Sequence, residues 1–336
     1  MHGDGMMQEL WTIYHAEIPE FLRKFANTPP MERLTHVGMN CGCEYTKFPL
    51  FEGLRPYSRF DHSMGVALIV WHFTQSMEQA LAGLFHDVTT PAFAHVVDFL
   101  NGDHLRQEST EAGVSECLAS SPEVMALLEE YDLMLEDVSD YHRYPIADND
   151  SPALAADRLE YTLGNLFNYG FSDLVQLRGF YEDLVVGRNE RNEPELVFQT
   201  SEKAEEFALS ALRTSRVYVA DEDRFAMQAL ADLLRDAVER RVISRQDLWK
   251  TEPEILEKLS SAPVFKRRWG TFCGYSTMLK AVERPESGYW VSIGAKKRWI
   301  DPYFPGKGRV SQWSTQVQEE AKVFLAQDFS CWLSAE

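Results

Sequence analysis

The chain has 336 residues, of which 45% are hydrophobic and 12% are aromatic, and its formal net charge is -19 at pH 7. This length and composition are sufficient for a large buried core in one or two domains. The strong negative charge argues against nonspecific binding to DNA or RNA, because cationic surface supplies most of that affinity.

The lack of a recognisable targeting signal and the cysteine usage predict a cytoplasmic protein. The apolar stretches, such as residues 66–73, fall well short of the roughly 20 residues needed to cross a bilayer. The N-terminus lacks the basic-then-apolar order of a signal peptide. Five scattered cysteines agree with a reducing compartment. Cys41 and Cys43 could ligate a metal, but no second pair exists, and a buried turn near the site entrance is the preferred interpretation.

Taken in order, the chain is predicted to be mostly helical. Apolar residues at three- and four-residue spacings predict helices at residues 9–25, 61–75, 78–85, 93–100, 109–135, 174–186, 202–219, 221–243, 252–259 and 314–332. Residues 38–58 form a predicted loop, and residues 287–298 alternate in a way that suggests a strand or hairpin. We therefore expect a mostly α fold with a minor β element near the C-terminus, divided into residues 1–200 and residues 201–336.

Three segments carry side chains suited to a metal site. An apolar run at residues 80–85 ends at His86-Asp87, His62 begins an earlier apolar helix, and Asp157 lies one turn into a later one. Nitrogen and oxygen donors in this mixture suit a borderline or hard divalent ion. A solvated or merely hydrogen-bonded His-Asp pair is the alternative for any one segment taken alone.

These segments read RFDHS, LFHDVTTPAFAH and ADRLEYTLGN. They resemble the signature stretches of the HD-domain metal-dependent phosphohydrolases, and most closely those of the deoxynucleoside triphosphate triphosphohydrolase branch. The resemblance covers about residues 33–167 and implies a helical bundle around a metal site. The rest of the chain is not placed by it.

Position by position, the resemblance implies a set of roles. The implied metal ligands are His62, His86, Asp87 and Asp157. The implied substrate contacts are Arg59 to phosphate, and Arg158 and Tyr161 to phosphate or sugar. The implied catalytic groups are Arg59, together with His95 and Asp98 for phosphate binding and proton relay. The ion itself is not distinguished among Mn²⁺, Mg²⁺, Ni²⁺, Fe²⁺ and Zn²⁺.

The chain departs from the pattern of that branch at two places. Thr89 and Thr90 replace a glycine and a phosphate-facing histidine. Where the branch has a catalytic His-Glu, the chain has Gln107-Glu108, with His104 as a candidate substitute. Metal binding is therefore better supported than triphosphate hydrolysis.

We expect a phosphohydrolase acting on a small-molecule phosphate or nucleotide, with no membrane partner and with homo-oligomerisation left open. A catalytically degenerate module that binds a nucleotide or a metal as a regulatory subunit is the second hypothesis. A diiron oxygenase is a third, although His95 and His104 would supply its extra ligands only in part. The basic run at residues 295–299 is interpreted first as a solvated turn, with phosphate binding or an oligomer contact as alternatives.

Overall fold

The computed structural model describes residues 5–101 and 113–336, and within these residues the fold is mostly helical. The first half contains α1 (Gly5–Tyr14), α2 (Glu20–Ala26), α3 (Pro29–Leu34), α4 (Arg59–Thr74), α5 (Met77–Phe85), α6 (Val96–Asn101), α7 (Val114–Ala119), α8 (Pro122–Glu130), α9 (Leu135–Val138), α10 (Ala156–Asn168) and α11 (Leu174–Glu182). The second half contains α12 (Ser201–Val217), α13 (Asp221–Glu239), α14 (Glu252–Ser261), α15 (Pro263–Phe272), α16 (Val310–Trp313) and α17 (Thr315–Leu325).

The β structure consists of three antiparallel strand pairs in the described residues. They are β1 (Leu184–Arg188) with β2 (Pro194–Phe198), β3 (Met278–Ala281) with β6 (Trp332–Ala335), and β4 (Tyr303–Phe304) with β5 (Gly308–Arg309). Two of the pairs lie in the C-terminal region. The predicted mostly α fold with a minor β element near the C-terminus is therefore confirmed.

Three helices bring the signature segments together. Helix α4 packs along α5 and also contacts α10. Close approach of α4 and α5 is permitted at Gly83, where an added Cβ would lie 3.2 Å from Val66 Cγ1. The N-terminus of α4, the C-terminus of α5 and the N-terminus of α10 consequently meet at one end of this group, and the candidate site lies there.

The apolar core comprises two main clusters, and each takes residues from both sides of residue 200. One contains much of α1 to α5 and α10 to α12, together with Ile300, Val310 and Val317. The other joins residues near Cys41 and α6 to α13, α14, α15 and Leu333. The division into residues 1–200 and 201–336 stays a prediction.

Several local predictions were wrong. The helix predicted at residues 314–332 ends at Leu325, and the one predicted at residues 174–186 ends at Glu182. Residues 9–25 form two helices rather than one, since Pro19 lacks an N–H and disfavours helical backbone in the residue before it. Residues 287–298 contain no strand; Val291 forms a single bridge to Leu333. Within the described residues, no helix is both long enough and apolar enough to span a bilayer.

Candidate metal centre

The start of α4 positions Arg59 and His62. Ser58 caps this helix reciprocally: Asp61 N donates to Ser58 Oγ (3.1 Å), and Ser58 N donates to Asp61 Oδ2 (2.9 Å). Such a capping box fixes the first turn, because it satisfies two backbone donors that the helix itself leaves unpaired. Arg59 and His62, three residues apart, therefore project from one face of a well-anchored turn.

The C-terminus of α5 presents His86 and Asp87. His86 Nδ1 lies 2.7 Å from the Gly83 carbonyl oxygen and donates to it, since a carbonyl can only accept. Asp87 Oδ2 accepts from Arg59 Nη1 at 2.8 Å, and Asp87 Oδ1 accepts from Thr90 Oγ1 at 2.8 Å. Both side chains are buried and oriented by contacts within their own neighbourhood.

The third segment supplies Asp157 in the first turn of α10. Its backbone N–H donates to the carbonyl of Ala147 at 3.2 Å, which joins this turn to the preceding loop. Its Oδ1 lies 3.1 Å from His62 Nε2 and 3.8 Å from His86 Nε2. Asp157 thus faces both imidazoles.

The four predicted ligands converge. The ligand atoms of His62, His86 and Asp87 all lie within 4.8 Å of one another. The two Nε2 atoms are 3.2 Å apart, and His86 Nε2 is 3.7 Å from Asp87 Oδ2. Neighbouring donors bonded to one ion at about 2.0–2.2 Å, at tetrahedral or octahedral angles, are separated by about 2.8–3.6 Å. The shorter separations match this requirement.

The Nδ1 atoms of both imidazoles also have hydrogen-bond partners. His62 Nδ1 lies 2.5 Å from Glu160 Oε2, and the same oxygen accepts from the Tyr57 hydroxyl at 2.5 Å. Metal-binding histidines commonly donate their second ring N–H to a carboxylate or a backbone carbonyl, which directs the other nitrogen at the ion. Glu160 does this for His62, and the Gly83 carbonyl does it for His86. The residues present therefore fit a divalent ion.

The pKa shifts at the site keep its two aspartates ionised. Burial raises the pKa of Asp87, but Arg59, His86 and His62 outweigh burial and hold that pKa far below its usual range. Burial likewise raises the pKa of Asp157, and its hydrogen bond with His62 is the main effect that lowers it overall. Burial lowers the pKa of His62, yet Asp157 and Glu160 raise it to about 10.

The predicted catalytic pair His95 and Asp98 is in contact. His95 Nδ1 lies 3.0 Å from Asp98 Oδ2, and Asp98 is fully buried. Burial lowers the pKa of His95 to about 4, against the opposing effect of Asp98. The imidazole is neutral near pH 7 and presents Nε2 as an acceptor. His104 and Gln107 lie outside the described residues.

The two predicted contacts on α10 differ in position. Tyr161, one turn after Asp157, lines the same cavity as the four ligands. Arg158 does not: its guanidinium donates to the Ala153 carbonyl at 2.7 Å and pairs with Asp148 at 3.1 Å. In the structure Arg158 therefore fixes the loop before α10, and its role as a substrate contact stays a prediction.

A cavity of about 190 Å³ opens over the ligands. Several residues of its walls were not identified from sequence. Asn165 ends the ADRLEYTLGN segment, and the others lie beyond the signature segments: Tyr169, Tyr218, Asp223, Arg224 and Met227. The basic run contributes Lys296 and Arg298 to the lining, in contrast to a solvated turn. Cys41 also lines it, at a buried turn in which Cys41 and Gly42 have positive φ.

Comparison with known proteins gives partial matches. Over 208 residues the chain is 30% identical to the uncharacterized protein YdhJ of Bacillus subtilis, and the match covers 61% of the chain and 62% of that protein. Over 123 residues it is 25% identical to the metal-dependent phosphohydrolase cns2 of Cordyceps militaris, covering 36% of the chain and 34% of that protein. No family model matches the chain.

The chain thus spans less than two thirds of the length of the curated relatives it matches. At a coarse level, it is similar to a metal-dependent phosphohydrolase and has a buried histidine and aspartate group able to hold a metal. The triphosphohydrolase branch stays a prediction.

Proposed function

We propose that this chain is a divalent-metal-dependent phosphohydrolase acting on a nucleotide or a related phosphate ester. The observation that carries the proposal is the orientation of His62 and His86. Their Nε2 atoms face each other at 3.2 Å, while Glu160 and the Gly83 carbonyl hold their Nδ1 atoms. The partial similarity to a metal-dependent phosphohydrolase agrees with it.

In this proposal His62, His86, Asp87 and Asp157 hold the ion. A divalent ion in such a site acidifies water for attack on phosphorus and withdraws charge from the phosphate. Arg59 keeps Asp87 ionised and in place through the 2.8 Å contact. Arg59 also lines the cavity, so its guanidinium lies beside the proposed position of the phosphate.

The cavity walls support a substrate with an aromatic or sugar portion. Tyr161, Tyr169 and Tyr218 line the cavity together with Met227, and the Asn165 amide donates from Nδ2 to the Tyr218 hydroxyl at 2.8 Å. Aromatic rings offer large apolar contact with polar tips, which suits a nucleoside. We propose that the phosphate lies at the metal ligands and the nucleoside among the tyrosines.

One observation favours the second hypothesis, a ligand-binding module without turnover. Thr90 stands where the resembling branch has a phosphate-facing histidine, and its hydroxyl points at Asp87 rather than offering a proton to substrate. Under this hypothesis the site binds a metal and a nucleotide but releases no product.

The test is a screen for phosphate, pyrophosphate and triphosphate release from nucleotides and phosphodiesters, with Mn²⁺, Mg²⁺, Ni²⁺, Fe²⁺ or Zn²⁺. Asp157→Ala serves as the inactive variant and Asp150→Ala, whose side chain is 82% exposed, as the matched control. Release that is lost only in Asp157→Ala supports the hydrolase. Metal and nucleotide binding with no release in the wild type supports the binding module.

A further inference from the structure

Two cationic side chains reach the metal cavity from a segment more than 130 residues beyond Asp157. Lys296 is exposed at the edge of the cavity, and Arg298 is partly buried in its wall. Their neighbour Lys297 points elsewhere, since its Nζ donates to the carbonyls of Leu325 (2.5 Å) and Gln327 (2.6 Å) after α17. This alternation is typical of extended backbone.

The segment is fixed at both ends. Val291 and Leu333 exchange two backbone hydrogen bonds, at 2.9 and 2.8 Å, and Arg224 donates to the Ile293 carbonyl. On the other side, Asp301 N donates to the Pro152 carbonyl at 2.9 Å, just before the loop that leads into α10. The position of Arg298 over the cavity is therefore defined by backbone contacts on each side.

Arg298 lies among the cavity walls. Its Nη2 is 3.4 Å from His95 Nε2, the acceptor nitrogen of an imidazole whose other nitrogen donates to Asp98. Tyr161 and Tyr218 line the same cavity. The guanidinium therefore lies beside His95 in the wall of the cavity that holds the candidate ligands.

The charge balance of the lining favours an anion. Besides His62, four cationic side chains among the described residues line the cavity, namely Arg59, Arg224, Lys296 and Arg298, against three carboxyl groups, Asp87, Asp157 and Asp223. Burial raises the pKa of Asp223 to about 8, so that carboxyl is largely neutral at pH 7. Among the described residues the lining therefore carries a cationic excess, in a chain of net charge -19, and such an excess attracts anions.

We propose that Arg298, assisted by Lys296, binds a phosphate group of the substrate beside the metal ligands, and that this phosphate is terminal and dianionic rather than an internal diester. Naming the anion as a substrate phosphate rests on the proposed function. A guanidinium presents paired N–H donors that match two phosphate oxygens, and a flexible lysine adds a second charge. Two cations next to a metal site suit a dianion better than the single charge of a diester.

The experiment measures binding of inorganic phosphate and of dimethyl phosphate by titration calorimetry, with and without Mg²⁺. The variants are Arg298→Gln, Lys296→Gln and the matched control Lys297→Gln. We expect phosphate to bind the wild type at least roughly tenfold more tightly than dimethyl phosphate, and Arg298→Gln to weaken phosphate binding by roughly tenfold. Lys296→Gln should have a smaller effect, and Lys297→Gln should stay within about twofold of the wild type.

Arg298→Lys is a control for a folding defect, because it keeps the positive charge and should retain part of the affinity for phosphate. Circular dichroism and the unfolding temperature identify any variant that fails to fold. The proposal is overturned if Arg298→Gln binds phosphate as tightly as the wild type, if Lys297→Gln is weakened equally, or if the diester binds as well as phosphate.

The outcomes separate this inference from the proposed function. Arg298-dependent phosphate binding without any turnover retains the inference and rejects the hydrolase. Metal-dependent turnover with an unchanged KM in Arg298→Gln retains the hydrolase and rejects the inference.

Discussion

His62 is engaged at both ring nitrogens by carboxylates, and this shapes how a metal can bind. Glu160 accepts from Nδ1, while Asp157 lies 3.1 Å from Nε2, the nitrogen that would bind the ion. These two acids raise the pKa of His62 to about 10 despite its burial. In the metal-free protein at neutral pH, Nε2 therefore carries a proton that an ion must displace.

This gives a prediction for the pH dependence of metal affinity. Because the proton must leave His62 and its pKa is about 10, the affinity should rise with pH, by up to about tenfold per unit between pH 6 and 9. Titration calorimetry in buffers of different ionisation enthalpy should show about one proton released per ion bound. Affinity that is flat across this range, with no proton release, would contradict the proposed binding through His62 Nε2.

Two of the metal-ligand helices meet at glycines that make room for the support behind His62. An added Cβ at Gly65 on α4 would lie 2.5–2.8 Å from Glu160 side-chain atoms, and one at Gly164 on α10 would lie 2.4 Å from the Tyr57 hydroxyl. Tyr57 and Glu160 are themselves hydrogen-bonded, so neither can move without disturbing the other. The helix contact and the orientation of His62 are thus linked.

Gly65→Ala tests this link. The methyl group should displace Glu160, lower the free energy of unfolding by about 1–3 kcal/mol and weaken metal binding by roughly tenfold or more. Gly270→Ala on α15 is the control, because no atom lies within 4 Å of its added Cβ and alanine favours a helix by about 0.5–1 kcal/mol. Chemical denaturation and metal titration of both variants are the measurements. Wild-type metal affinity in Gly65→Ala would show that Glu160 does not support the site.

At the scale of the elements, the sequence predicted the helices whose positions depend on residues nearby in the chain. Helices α4 and α5 were predicted to within two residues, because long apolar runs mark them. The break before Pro19 was missed because apolar spacing continues across it. Arg298 could not be placed over the cavity, since its position depends on contacts with residues far along the chain, such as Pro152 and Leu333.

The same limit applies to the candidate site. Its four proposed metal ligands were recognisable because three short segments carry His and Asp in a known pattern. Glu160 follows Asp157 by three residues, but its contact with His62 depends on how α10 packs on α4. Tyr218 and Asp223 lie outside the three signature segments and carry no pattern of their own. Residues whose roles depend on how the helices pack could therefore be identified only from the folded chain.

For the whole molecule, the proposed metal ligands connect parts of the core that are distant in sequence. They come from α4, α5 and α10, while the cavity above them is closed by α13 and by residues 295–298. An ion that binds only the folded chain adds to its stability in proportion to the logarithm of its free concentration over Kd. The effect should be visible in global unfolding.

Metal removal should therefore lower the unfolding temperature. With the ion at about 100 times its Kd, the added free energy is about 2.7 kcal/mol, which corresponds to roughly 4 °C for a chain of this size. Differential scanning calorimetry with saturating Mn²⁺ and with EDTA should show this difference in the wild type and lose it in Asp157→Ala. If the wild type unfolds at the same temperature with Mn²⁺ and with EDTA, that result would contradict a metal site formed by folding.

The most direct test of the central claim follows bound metal and released phosphate in the same samples as Mn²⁺ is titrated into metal-free protein with a substrate found in the screen. We predict that phosphate release rises in proportion to the metal bound and is absent in Asp157→Ala. Release that is independent of the metal, or full occupancy of the site by metal with no release from any phosphate ester, would contradict a metal-dependent phosphohydrolase.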